Sequence, residues 1–149
     1  MTAVRKTEMG KVIVSAKIEN LKDLYEVETG KLSKDKARAI EVRDAMVDTG
    51  SVMLMLPKRL IQQLGLRRVR TRRARAAAGL IDIGVYQPVQ LTVEGRDCIT
   101  EVAELPDNCP PLIGQVPLEM LDFWIDPIQQ RLVGNPEHGG EHMIDVFLS

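Results

Sequence analysis

Three stretches of this chain, LIDIGVY (80–86), VQLTVEG (89–95) and DCITEVAEL (97–105), alternate apolar with polar residues, and KVIVSAKIEN (11–20) does so in part. A period of two puts the apolar side chains on one face of an extended backbone. IEVRDAMV (40–47) has the same Val and Ile enrichment, and SVMLML (51–56) is almost wholly apolar, as a strand buried on both faces is. Turn residues separate the runs, and Glu94-Gly95-Arg96-Asp97 reads as a hairpin turn. Many short strands with regular turns predict an all-β barrel or sandwich.

Size and composition narrow this further. A chain of 149 residues suits one domain, 1–149. Apolar residues make up 44% and charged residues 28%, as in a soluble globular protein, but aromatics only 3%. The core must therefore be built from Val, Ile, Leu, Ala and Met. A net charge of −1 gives no global field toward DNA or membrane. Cys98 and Cys109 read as two buried thiols, not as a disulfide framework. MTAVRKTEMGK lacks the apolar run of a signal peptide, and no window approaches the roughly 18 apolar residues of a membrane span. A cytoplasmic location is expected, without membrane partners.

Between the strands, LKDLYEVETGKLSKDKARA (21–39) reads as an exposed polar excursion with at most a short helical turn. Pro57 suits the start of a short helix and Gly65 its end, with Leu60, Ile61 and Leu64 on one face. PLIG (111–114) reads as a short strand stopped by Gly114, and Pro117 opens a second short helix. DFWIDP and QRLVG form a closing strand pair, NPEHGGEH a flexible polar linker, and MIDVFLS (143–149) an alternating terminal strand.

One acid is oddly placed. In AMVDTGSVMLMLP (45–57), Asp48 lies between two apolar runs, where an unpaired carboxylate is costly to bury. Alone, Asp-Thr-Gly is an ordinary turn triplet. In order with LP (56–57), LGL (64–66) and PLIG (111–114), the segment AMVDTGS (45–51) resembles the retropepsin-like aspartic peptidases, closest to their stand-alone bacterial members. The resemblance runs from about Lys11 to Val133.

That resemblance implies a closed or partly open acid-protease barrel with two short helices and one Asp-Thr-Gly lobe per chain. Amide hydrolysis by two carboxylates needs one to activate water and the other to protonate the carbonyl, and two acids sharing a proton divide those tasks. A chain with one such triplet must then work as a C2 homodimer, with Asp48 from each copy. Thr49 would bond across the two-fold axis, and Gly50 would let its backbone N–H approach the opposite carboxylate. Ser51, where viral members commonly carry alanine, matches the pepsin-like pattern, and its hydroxyl would donate to Asp48. Leu112, Ile113 and Gly114 would pack beneath this loop. Val52, Leu112, Ile113 and the flap strands would wall pockets for medium-sized apolar side chains, and neither metal nor organic cofactor is required.

RRVRTRRAR (67–75) holds six arginines in nine residues. By position it falls on the family's flap, about 67–80, with Thr71 to Ala76 near the tip and Arg70, Thr71, Arg72, Arg73, Ala74, Arg75 and Ala76 facing substrate. Viral flaps are glycine-rich, so the composition departs from the pattern. Three readings stand: a solvated hairpin kept open by repulsion, selection of acidic peptides or partners, and nucleic-acid contact. Near-neutral net charge and the lack of interleaved aromatics count against nucleic acid.

His138-Gly139-Gly140-Glu141-His142 spells H-x-x-E-H, but that zinc signature works only on a helix, which paired glycines oppose. No metal site is expected there. Trp124 reads as a core or interface anchor. The strand 143–149, together with N-terminal residues, is expected to join the subunits. The expected activity is aspartic endopeptidase action on extended peptides or proteins. The alternative is a catalytically silent dimeric peptide-binding module of the same fold.

Overall fold

The computed structural model describes residues 12–147. The N-terminal residues ahead of Val12, and positions 148 and 149 of the expected terminal strand, lie outside the described residues.

The described chain is mostly β with three short helices, one more than the two expected. Strand β1 (Val12–Asn20) shows why period two matters: Val12, Val14, Ala16 and Ile18 are buried while Ile13, Ser15 and Lys17 face solvent. It is followed by α1 (Leu21–Glu28), β2 (Ala39–Val47), β3 (Leu54–Pro57) and α2 (Lys58–Gln63). Next come β4 (Arg68–Ala76), β5 (Gly79–Val93), β6 (Arg96–Leu105), β7 (Leu112–Ile113), α3 (Gln115–Met120), β8 (Phe123–Asp126) and β9 (Arg131–Gly134).

Seven strands pair in the order β1-β2-β7-β3-β6-β5-β4, and β1 also pairs with β5. That extra pairing closes six strands into a ring and leaves β4 outside it. The core that packs against these strands holds the fully buried side chains Ile18, Leu54, Leu56, Ile61, Leu64, Leu91, Ile113 and Leu121. Each contributes about 1.5–3 kcal/mol by leaving water. Tyr86 and Phe123 are the aromatics of the core, and the rest of it is aliphatic apart from Cys98. Trp124, expected as a core or interface anchor, is exposed on β8 and so is no part of this chain's core. Cys98 is buried, which pushes its thiol up to about 11, and Cys109 is half-buried; both are free.

Several boundaries differ from expectation. The runs 80–86 and 89–95 are one strand, β5, with an irregularity between Tyr86 and Val89. Pro88 sits at that break, where a missing N–H does least harm. The hairpin turn lies one residue earlier than expected: Glu94 and Gly95 both have positive φ, 47° and 81°, Val93 pairs with Arg96, and Asp97 is already in β6. The third strand begins only at Leu54, three residues later than expected. Helix α3 starts at Gln115 instead of Pro117. Residues 143–147 form no strand within this chain.

The segment 21–39 is no mere polar excursion. Asn20, at the end of β1, caps α1 by accepting from the N–H of Asp23 at 3.1 Å, and its Nδ2 donates to the carbonyl of Leu64 at 2.8 Å. Asp23 is 2% exposed and takes three bonds from Arg38: backbone N–H at 2.9 Å, Nε at 2.8 Å and Nη2 at 3.0 Å. The guanidinium holds the Asp23 carboxyl below the usual range. Asn20→Ala removes the cap and orphans the Leu64 carbonyl together. The expected cost is about 3 kcal/mol, read as a lowered urea midpoint with unchanged slope. A loss under about 0.5 kcal/mol contradicts this role.

Candidate functional site

Asp48 follows the last residue of β2, and its position is set by a three-strand crossing. The two-residue strand β7 lies between β2 and β3. Met46 and Val47 pair with Leu112 and Ile113 in parallel, and Leu54 pairs with Ile113 antiparallel. The link from β2 to β3, residues 48–53, must therefore pass over the end of β7. There the backbone is stitched down. Asp48 N–H donates to Ile113 O at 2.9 Å, Gly114 N–H to Met53 O at 3.0 Å, Gln115 N–H to Ser51 O at 2.7 Å and Val116 N–H to Val52 O at 3.0 Å.

Gly114 is required by this contact. A Cβ there would lie 2.5 Å from Met53 O and 2.6 Å from the carbonyl carbon of Val52, both backbone atoms. Its φ of −82° is open to any residue, so the demand is for space alone. Gly114 is also the N-cap of α3. Ile113 and Gly114 thus lie directly against the loop that carries Asp48, while Leu112 pairs with Met46 and Met55 to either side of it.

The loop folds around its own acid. Gly50 N–H donates to Asp48 Oδ1 at 2.9 Å, and Ser51 Oγ donates to Oδ2 at 3.3 Å. Both carboxylate oxygens are oriented from within, yet the side chain stays half-buried while Thr49 and Gly50 are exposed. Val52 beside them is 63% exposed. A concavity lined by Ser15, Lys17, Glu41, Arg43 and Thr92 sits across β1, β2 and β5 and includes no residue of the loop. Asp48 thus lies at an open face of the single chain.

The arginine segment is a projecting hairpin. β4 pairs with the first part of β5 from Arg68↔Tyr86 to Ala76↔Gly79, so the tip is Ala77-Ala78. Thr71 to Ala76 are therefore ladder positions that run up to the tip, with Ala76 beside it. Thr71 pairs with Gly84 and Arg73 with Asp82. Arg70, Thr71, Arg72, Arg73, Arg75 and Ala76 are exposed and Ala74 is half-buried. At the hairpin's base the Arg68 guanidinium lies over Gly84 and the Tyr86 ring, 5.9 Å from its centroid, and the Tyr86 hydroxyl donates to Glu104. No described contact joins Asp48 to this hairpin.

The 135–142 segment overturns the expectation of a flexible linker. Gly139 and Gly140 take left-handed backbone, φ 65° and 81°, so His138 and His142 share no helix. That turn folds His138 onto Asp122, Nδ1 to Oδ2 at 2.6 Å, while Nε2 faces Asp145 Oδ1 at 2.9 Å. Asp122 also accepts from Asn135 Nδ2 at 3.1 Å and from Met143 N–H at 3.0 Å. Arg96 closes the cluster by donating to the carbonyls of Asp122 and Gly140. The sequence marks His138 only through its zinc-like spelling; nothing local indicates an acid sixteen positions earlier.

The two flanking carboxylates hold the His138 pKa above its usual value, Asp122 foremost, and His138 holds Asp122 down at about 2. Stability from the raised imidazole is complete below the ordinary value of about 6.5 and is lost as pH rises through the raised one. The share from Asp122 is complete above its ordinary value and is lost as pH falls through about 2. A neutral imidazole has one N–H for two carboxylates, so the anchor opens on the alkaline side. Protection of the Met143 amide against hydrogen exchange should fall there, relative to intrinsic rates, and His138→Asn should abolish the pH dependence. Flat protection across that range in the unaltered chain contradicts this.

No protein-family model matches this chain, and no curated protein shows significant similarity to it.

Proposed function

We propose that this chain is a retropepsin-like aspartic endopeptidase that is active as a homodimer. The observation that carries the reading is the seating of Asp48-Thr49-Gly50-Ser51 over β7, with Gly114 packed against the loop's backbone. A plain turn needs no such support. Here a crossing strand, four backbone bonds and a glycine of obligatory size hold one half-buried acid in place.

One carboxylate cannot both take a proton from water and give one to the carbonyl. A second copy, related by a two-fold axis through this exposed face, supplies the partner acid. Like charges a few ångströms apart do not both ionise readily, so the pair holds one proton between them. The ionised member draws a proton from water, and the protonated member gives its own to the carbonyl oxygen. Thr49 faces the axis, Gly50 N–H and Ser51 Oγ orient each carboxylate, and the β4–β5 hairpins cover an extended peptide. Ile144, Val146 and Phe147, exposed past the His138 anchor, provide apolar chain ends for the second copy to cover.

The test is digestion of a diverse peptide library across pH, with sedimentation on the same sample. Cleavage between apolar residues by a dimer supports the peptidase. A dimer that cleaves nothing at any pH points to the silent binding module, and a monomer at all concentrations ends both.

A further inference from the structure

The sheet ends at β4, which among the described residues is paired on one side only. An unpaired edge presents a row of free N–H and C=O groups to any extended chain. β4 carries Arg68, Arg70, Arg72, Arg73 and Arg75 and no acid, with Arg67 just before it. Part of this charge is met within the chain: Arg68 faces Glu104 at 3.9 Å, Arg70 pairs with Glu101, and Arg73 faces Asp82 at 3.9 Å. Arg67, Arg72 and Arg75 have no ion pair among the described residues.

A second copy is a poor occupant of this edge. Antiparallel pairing of two β4 strands would set arginine rows face to face, and like charges across a ladder destabilise it. Nucleic acid is also a poor match. Residues 67–81 contain no aromatic side chain on which a base could stack, and a base offers no ladder of main-chain partners. Exposed Val69, Leu80 and Ile81 on the same hairpin favour a partner with apolar side chains among its charges.

We infer that the outer edge of β4 is a docking strip for an extended acidic segment of a polypeptide, interspersed with apolar residues, with Arg72 and Arg75 as its charge readers. This deepens the peptidase reading and rests on it for the identity of that polypeptide as substrate. The acidic segment pairs along the hairpin and delivers the adjoining chain toward the Asp48 face. Arginine suits the task because its fork stays charged at every working pH and engages a carboxylate through two N–H groups.

The probes are labelled peptides of repeating Glu-Glu-Val-Val, which put acids on both faces of a strand because Arg72 and Arg75 lie on opposite faces of β4, their Gln-for-Glu counterparts, and single-stranded oligo-dT. Each is titrated by fluorescence anisotropy into the full chain bearing Asp48→Asn, so that turnover does not confuse binding. The acidic peptide should bind about tenfold tighter than its neutral counterpart at low salt, the sum of a few exposed pairs, and lose that margin as salt rises. Arg72→Gln with Arg75→Gln should erase the margin with no change in thermal midpoint, and the paired lysine variant should keep most of it. Equal affinity for both peptides, a margin that survives the glutamine variant, or tighter binding of oligo-dT overturns the inference. Arginine-dependent preference without cleavage by the unaltered chain rejects the peptidase and keeps the strip. Cleavage without charge preference does the reverse.

Discussion

Asp48→Asn should lower peptide turnover at least about 10³-fold while leaving the dimer and its stability intact, since positioned acid–base groups contribute about 10²–10⁴. Asn has the shape of Asp and still accepts from Gly50 N–H through its carbonyl oxygen, so the loop keeps its bond at 2.9 Å. What it loses is the ability to take a proton at either oxygen. A fall in kcat with little change in KM is the signature, because substrate contacts along the hairpin persist.

Mixing makes a sharper test. If each active site draws one Asp48 from each copy, a heterodimer of one unaltered subunit and one carrying Asp48→Asn is dead. After exchange with an equal amount of the variant, unaltered chains should retain about one half of their activity, and with a ninefold excess about one tenth. Activity unaffected by added variant, with subunit exchange verified, rules out a shared dyad. It would point to a site complete in one chain, where Asp48 would have to find a different partner.

The fold is legible in the sequence where its causes are local. Alternation in β1 and the Glu94-Gly95 turn depend on residues that are neighbours in the chain; the strand lies where the pattern puts it and the turn within one residue of it. It is less legible where distant backbone intervenes. Residues 51–53 continue an apolar run that suits a strand, but their carbonyls are taken by Gly114, Gln115 and Val116, about sixty residues later in the chain. Likewise α1 depends on Asp23 meeting Arg38, fifteen residues later and across a turn. The composition of 135–142 suggests a linker, yet its glycines supply the left-handed turns that lay His138 on Asp122. For the candidate site, the motif supplies the residues and their order but not the support beneath them. That support is contact between segments about sixty positions apart, and only Gly114 marks it in the sequence.

Gly114→Ala should therefore be damaging out of proportion to the single methyl group it adds. The new carbon would sit 2.5 Å from Met53 O and 2.7 Å from Met53 N, distances that no rotamer change relieves because both are backbone atoms. Either β7 or the 48–53 loop must move, and each is held by the same four bonds. Overpacking with partial loss of those bonds should cost about 3 kcal/mol, read by chemical denaturation. In chain that remains folded, displacement of Asp48 by a fraction of an ångström should cut turnover by about 10²-fold, since misplacement on the scale of 1 Å is worth that much. Gly95→Ala is the matched control. It meets nothing within 4 Å and pays only for its φ of 81°, about 1 kcal/mol, with no effect on cleavage per folded molecule. If Gly114→Ala matches this control in both stability and turnover, the loop is not seated on β7 as described, and the geometric basis for assigning chemistry to Asp48 is lost.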